Sequence, residues 1–225
     1  MNTDPSTLLL TGGAFTVPGG VEGRDLVEEL TFDAPSRSEG RTPAHRERFC
    51  LVALLRHLLL TEPSLFPATI FRNEAPDFLI HRPCGAAIAI EHTDAGEPHY
   101  QRFLSEIEHA RSETVGPTEV VSIPSPGGDG WIGDAPERTF IEALRASFLR
   151  KSAEQTWRNA PASAERWLLI YDQTNTSIYL SNSAAAGFLR CAAQDKGGAN
   201  WPYDRIYLVR SQEIVLGWRQ QKSTS

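Results

Sequence analysis

Two apolar segments near the middle of the chain predict a β-hairpin. The first runs from Phe78 to Ile80 and the second from Ala86 to Ile90. Between them lies Arg82–Gly85, and its proline and glycine favour a turn. Because side chains alternate between the two faces of a strand, Glu91 and Thr93 share the face of Ala87 and Ala89, and His92 shares the other face.

Two carboxylates are predicted to meet at the open end of this hairpin. Asp77 follows Pro76 at the start of the first strand, and Glu91 is expected to end the second. An antiparallel hairpin brings the start of one strand beside the end of its partner. Carboxylate oxygens are the ligands that Mg²⁺ or Mn²⁺ prefers when the metal must also hold a phosphate and water.

The apolar pattern also predicts two long helices. Thr42 followed by Pro43 is a typical helix start, and leucines at helical spacing continue the pattern to Thr61. A later helix is predicted from about 136 to 157. In it Lys151 lies three residues after Phe148, on the apolar stripe, so its side chain is expected to face the core.

The remaining elements complete an α/β pattern. Strands are predicted at 68–71, 167–171, 206–209 and 214–216, and helices at 99–112 and 183–194. We expect a mixed central β-sheet flanked by helices in a three-layer core. Residues 1–41 are expected to form a partly irregular arm with one strand and one short helix, and residues 42–225 one domain. A long loop at about 115–135 is either a lid or a surface excursion.

Composition and charge exclude some classes of function. The chain has 225 residues and a formal charge of −6, which argues against a surface that binds nucleic acid over a wide area. Any site for a polyanion must therefore be local. Cys50, Cys84 and Cys191 suggest no disulfide framework, and no signal peptide or membrane-length apolar run is seen. We expect a cytoplasmic protein without membrane contact, and a homodimer is left open.

The sequence around Asp77 and Glu91 resembles the motif of a known protein superfamily. Pro76-Asp77, thirteen further residues and then Glu91-x-Thr93 resemble the motif of the PD-(D/E)xK nuclease superfamily, which has the restriction-endonuclease-like fold. The resemblance extends from the helix before Asp77 to the last strand. It implies a restriction-endonuclease-like core and metal-dependent hydrolysis of phosphodiester bonds in nucleic acid, with DNA favoured over RNA.

The resemblance also suggests roles for individual residues. Asp77, Glu91 and the backbone carbonyl of His92 would hold Mg²⁺ or Mn²⁺. Thr93 stands where the motif usually has lysine, and some members carry that lysine on the following helix instead. Lys151 is our candidate for it, with the role of binding the scissile phosphate and favouring deprotonation of the attacking water, and Thr93 is the alternative for orienting that water.

A third acid could join the site. Some members of the resembled superfamily supply a glutamate from a helix, and Glu47 lies on the apolar stripe of the helix that starts at Pro43. We favour the simpler interpretation that Glu47 is an acid at a helix start, stabilised by the helix dipole. Glu74 is a rival because it is close to Asp77 in sequence.

Other interpretations remain open. Thr93 and the acidic charge favour a non-catalytic endonuclease-like domain that binds nucleic acid or protein, and an unrelated α/β enzyme with a chance hairpin is a third alternative. Arg145 and Arg150 are interpreted as solvent-facing charges or loose phosphate contacts. Zinc is a less favoured hypothesis, and its ligands would come from His81, Cys84, His92 and His99.

Overall fold

The computed structural model describes residues 13–30, 41–96, 133–174, 180–194, 201–210 and 213–219. The helix predicted at 99–112, with His99, and most of the loop predicted at about 115–135 lie outside this part of the chain.

The described chain alternates strands and helices in an α/β order. The strands are β1 (Ala14–Val17), β2 (Ala68–Arg72), β3 (Phe78–His81), β4 (Ala87–Ala95), β5 (Glu165–Asp172), β6 (Arg205–Arg210) and β7 (Glu213–Arg219). The helices are α1 (Gly20–Glu29), α2 (Pro43–Thr61), α3 (Ala135–Lys151) and α4 (Asn182–Gln194). Short 3-10 turns lie at Pro63–Leu65 and Glu154–Trp157.

All seven of these strands form one mixed sheet, in the order β1 to β7. The pairs β1–β2, β2–β3, β3–β4 and β6–β7 are antiparallel. The pairs β4–β5 and β5–β6 are parallel. The parallel pairs need crossover connections, which contain α3 and α4. The predicted mixed sheet with flanking helices is therefore confirmed.

The register confirms the predicted hairpin and corrects one of its ends. Phe78 pairs with Ile90 and His81 with Ala87, so β3 and β4 are antiparallel neighbours. The expectation that Glu91 ends its strand is wrong, because β4 continues to Ala95. Beyond Ile90 the strand still pairs with β5 and remains part of the ladder.

Helices cover both faces of the sheet and make a three-layer structure. On one face, leucines of α2 such as Leu54 and Leu58 share a hydrophobic cluster with Ile88 and Ile90 of β4. On the other face, Phe148 of α3 shares a second cluster with Ala89. The alternation of side chains along β4 thus sends neighbouring residues into two different cores.

The described part of the predicted arm joins the first of these cores. Strand β1 pairs with β2, and Phe15, Val17, Val27 and Leu30 are buried in the cluster under α2. Within described residues 13–30 the arm contributes β1 and α1, while the apolar piece at 8–10 lies outside the described residues.

The two long helices begin where the sequence indicates, but α3 is shorter than predicted. It ends at Lys151 and not near Trp157. The indole of Trp157 turns back and donates a hydrogen bond of 3.2 Å to the carbonyl of Lys151. This bond satisfies a carbonyl that a continuing helix would otherwise use. Among the described helices, none has the length and apolar composition required to cross a membrane.

Candidate active site

Asp77 and Glu91 meet on the sheet as the hairpin predicts. Asp77 immediately precedes β3, and its Oδ2 accepts a hydrogen bond of 2.7 Å from the backbone N–H of His92. Since β3 begins at Phe78, opposite Ile90, Asp77 lies where β4 loses its β3 partner. The two carboxylates are therefore fixed by backbone geometry.

Lys151 reaches both carboxylates from the end of α3. Its Nζ lies 2.5 Å from Oε2 of Glu91 and 3.9 Å from Oδ2 of Asp77. The Lys151 side chain is 27% exposed and turns toward the nearly buried Glu91. Three side chains from the start of β3, the middle of β4 and the end of α3 thus form one charged cluster.

Buried groups hold the last turn of α3 in position. Besides the Trp157 bond, the hydroxyl of Tyr203 donates 2.7 Å to the carbonyl of Phe148. Ser147 is fully buried and donates to the carbonyl of Asp94 at 3.1 Å, which ties α3 to the end of β4. Because these partners fix the helix backbone, Lys151 needs to order only its own side chain to reach Glu91.

The electrostatics of the cluster favour a protonated Glu91. Its side chain is 2% exposed, and burial raises its pKa to about 8. The neighbouring Asp77 charge adds to this effect, while the Lys151 ammonium opposes it. Burial, followed by the Glu91 charge, also raises the pKa of the nearby Tyr203 hydroxyl. A further cation beside Glu91 would shift its equilibrium toward the carboxylate.

Glu47 is not the helix-start acid that we favoured. Because α2 begins at Pro43, Glu47 lies beyond the first turn, where the helix dipole has little effect. Its Oε2 is 3.0 Å from Nη2 of Arg72. Burial and then the Asp77 charge raise the pKa of Glu47, while Arg72 and Lys151 lower it. Glu47 therefore belongs to the electrostatic surroundings of the site.

Glu74, the other proposed third acid, has a different position. It is exposed in the turn between β2 and β3. Within the described part of the chain, no contact of Glu74 with Asp77 or Glu91 is seen. Of the two candidates, Glu47 is the one whose pKa is affected by the charges of Asp77 and Lys151.

Thr93 is an alternative candidate for orienting water, but its hydroxyl contacts an arginine. Thr93 is buried, and its Oγ1 accepts a hydrogen bond of 3.1 Å from Nη2 of Arg150. The same nitrogen donates 2.6 Å to the carbonyl of Asp94. Arg150 and Arg145 are both exposed, as expected for solvent-facing charges. The hydrogen bonds of Arg150 to Thr93 and Asp94 also place its guanidinium beside the site.

The proposed zinc ligands are separated. His81 is exposed at the far end of β3, where its ring packs against Phe71, and Cys84 is exposed in the hairpin turn. His92 is buried on the opposite face of β4 from Glu91, and burial lowers its pKa to about 3, with further lowering by Arg46 and Lys151. Across the described ranges, no three His, Cys, Asp or Glu side chains form a group that could hold a metal ion.

A divalent cation at the carboxylates would need ligands beyond side chains. Asp77 and Glu91 offer two hard oxygen donors, the type that Mg²⁺ and Mn²⁺ bind through a few carboxylates plus water and phosphate. Burial, and then the Asp77 charge, raise the pKa of Glu91, and a cation beside both carboxylates would oppose the second of these effects. The donor chemistry therefore fits such an ion, with the His92 carbonyl, water and substrate as the remaining ligands.

An open cleft of about 380 Å³ adjoins the cluster. It lies between the start of α2, the end of β4 and the end of α3. Its lining includes Arg46, Thr93, Asp94, Arg150 and Lys151. Arg46 pairs with Asp94 at 2.7 Å. Arg46 and Asp94 are not among the predicted site residues, although each adjoins one of them in the sequence, Glu47 and Thr93.

Comparison with protein-family models, curated proteins and solved structures finds no match for this chain.

Proposed function

We propose that this protein is a divalent-metal-dependent phosphodiesterase that hydrolyses nucleic acid, with DNA as the favoured substrate. The observation that supports this most is the contact of Asp77, Glu91 and Lys151, which come from three separate elements. An ammonium beside two carboxylates provides both metal ligands and a cationic group for a phosphate oxygen. The preference for DNA rests on the family resemblance alone, and a homodimer stays a prediction.

Each residue then has a defined task. Asp77 and Glu91, together with the carbonyl of His92, would hold the metal ion. When bound, Mg²⁺ or Mn²⁺ supplies charge stabilisation at the phosphate and lowers the pKa of a bound water. Lys151 binds a non-bridging oxygen of the scissile phosphate and orients the attacking water. The water oxygen bonds to phosphorus as one of its protons passes to solvent, the bond to the leaving oxygen breaks, and that oxygen takes up a proton from solvent.

Thr93 acts in this proposal through Arg150 and not directly on water. Its hydroxyl already accepts from the Arg150 guanidinium at 3.1 Å. Thr93 therefore positions a cation beside the cluster.

The second candidate function is a non-catalytic domain that binds nucleic acid or protein. One observation favours it: the 2.5 Å contact of Lys151 with Glu91 balances the buried carboxyl internally, without a metal. Metal binding separates the two candidates, because only the enzyme needs the carboxylates to capture a cation.

Isothermal calorimetry with Mn²⁺ is the first test, on the wild type and on Asp77→Asn and Glu91→Gln. We expect wild-type binding that both variants lose, together with loss of Mg²⁺-dependent cleavage of DNA. Glu142→Gln is the matched control, because Glu142 is an exposed acid on α3. It should bind and cleave like the wild type.

Two results would contradict the proposal. Undiminished cleavage by Asp77→Asn or Glu91→Gln would remove the site from catalysis. A folded wild type that binds no Mn²⁺ would favour the non-catalytic candidate instead.

A further inference from the structure

The open cleft beside the carboxylates is rich in cationic groups. Arg46, Arg150 and Lys151 line it, and Asp94 is the one acidic side chain among its described lining residues. His92 also lines it but is neutral at physiological pH, since burial disfavours its charged form. In a protein with a formal charge of −6, the described lining thus has three cations against one acid, with Arg46 paired to Asp94 at 2.7 Å and Lys151 to Glu91 at 2.5 Å.

The guanidinium of Arg150 has donors left for a ligand. All the hydrogen bonds seen for Arg150 within the described chain are made by Nη2, to Thr93 Oγ1, the Asp94 carbonyl and Ser147 Oγ. These acceptors are neutral, so they orient the guanidinium without cancelling its charge. Arginine presents five N–H donors in a planar fork that suits phosphate, and Nε and Nη1 remain available.

The buried imidazole of His92 also suggests that the cleft holds a ligand. The Nε2 atom of His92 is buried and has no hydrogen-bond partner among the described residues. The side chain is 7% exposed, the Oδ1 atom of Asp94 lies 3.7 Å from this Nε2, and a buried polar atom without a hydrogen-bond partner is costly. A ligand or its bound water in the cleft would satisfy this atom.

We propose that this cleft binds a second phosphate of the nucleic-acid backbone, next to the phosphate held by Lys151. Arg46 and Arg150 are its ligands. The inference rests on the proposed function, because Lys151 lies on the boundary between the cleft and the carboxylates and so joins the two phosphate positions. The second phosphate would set the register of the strand on the enzyme, as backbone contacts do in other nucleic-acid complexes.

Phosphate binding can be measured without metal or catalysis. The probe is thymidine 3′,5′-bisphosphate, titrated by calorimetry in EDTA, and thymidine without phosphate is the ligand control. We expect the wild type to bind the bisphosphate and not thymidine. Arg46→Gln and Arg150→Gln should each weaken binding by about tenfold or more, since each loses a charge-assisted contact.

Matched variants separate ligand contact from structural support. Arg145→Gln removes the same charge from an exposed position on α3 outside the cleft lining and should bind normally. Arg150→Lys keeps the charge but loses the fork, and should bind with intermediate affinity. Far-UV circular dichroism checks that each variant is folded.

The outcomes distinguish this inference from the proposed function. No binding by the wild type, or equal binding by Arg145→Gln and Arg150→Gln, overturns the second phosphate site. Because the titration contains no metal, an inactive enzyme with a working cleft would still bind the bisphosphate. Conversely, a protein that cleaves DNA but binds no bisphosphate would retain the function and lose this inference.

Discussion

At the scale of single residues, the buried carboxyl of Glu91 lowers the stability of the folded protein and also belongs to the candidate site. It is a nearly fully buried carboxyl beside Asp77, and its only close cationic partner in the described chain is Lys151. Burial raises its pKa to about 8, against about 4.3 for an unperturbed glutamate. Folding must therefore either protonate this carboxyl or bury its charge.

This raised pKa predicts a specific dependence of stability on pH. Between about pH 4.5 and 8 the folded protein binds a proton at Glu91 that the unfolded chain does not, so the free energy of unfolding falls as pH rises through that window. Glu91→Gln removes this term. Relative to the wild type, the variant should gain about 2–4 kcal/mol between pH 5 and pH 8.

Urea unfolding in EDTA at several pH values checks this expectation. The change with pH is the readout, because the cost of leaving Lys151 without its partner is nearly constant over this range. Glu142→Gln, at an exposed position, should follow the wild type. Parallel curves for Glu91→Gln and the wild type would mean that Glu91 has an ordinary pKa.

At the scale of elements, the end of α3 brings to the acidic pair a lysine that β4 itself does not carry. Ala89 and Ala95 keep that face of β4 low in bulk, and both share a cluster with Phe148 of α3. The Tyr203 and Trp157 hydrogen bonds then fix the last helical turn. A lysine on the helix can thus reach the position that a lysine at residue 93 would approach from the strand.

This equivalence predicts a rescue. Lys151→Gln should keep Mn²⁺ binding but reduce cleavage by about 10²–10³, the usual loss for one electrostatic group in a transition state. Adding Thr93→Lys should restore part of that loss, because residues 93 and 91 share a face of β4. Single-turnover cleavage assays compare the two. If Lys151→Gln alone cleaves at the wild-type rate, the helix lysine has no catalytic role.

At the scale of the whole molecule, one sheet separates two cores and also connects them. Strand β5 contributes Trp167 and Leu169 to the cluster under α1 and α2, and Leu168 and Ile170 to the cluster under α3 and α4. Because the same backbone carries both sets, neither core can lose its packing without disturbing the other.

We therefore expect the two cores to unfold together. Trp167 reports on the first core, and Trp157, Trp201 and the partly buried Trp218 report on the second. In a Trp131→Phe background, a Trp167→Phe variant and a Trp157→Phe/Trp201→Phe/Trp218→Phe variant should each give coincident denaturation midpoints by fluorescence and far-UV circular dichroism. Separate midpoints within either variant would show that the layers unfold independently.

Local patterns were sufficient for most elements of this fold. The period of two and the turn residues predicted the β3–β4 hairpin, and Thr42-Pro43 predicted the start of α2. The extension of β4 beyond Glu91 was missed, because it depends on pairing with β5, about seventy-five residues further along the chain. The end of α3 was missed for a similar reason, since it depends on the side chain of Trp157 folding back.

The sequence by itself determined that Asp77 and Glu91 share one end of a hairpin and that Lys151 lies on the apolar stripe of its helix, because these follow from short-range periodicity. Only the tertiary structure decided that the three side chains meet, that Glu47 pairs with Arg72, and that Arg46 and Arg150 line one cleft. Those contacts join residues far apart in the chain, and their positions are fixed by how helices pack on the sheet. Side-chain periodicity gives the direction of a residue, whereas packing decides what it meets.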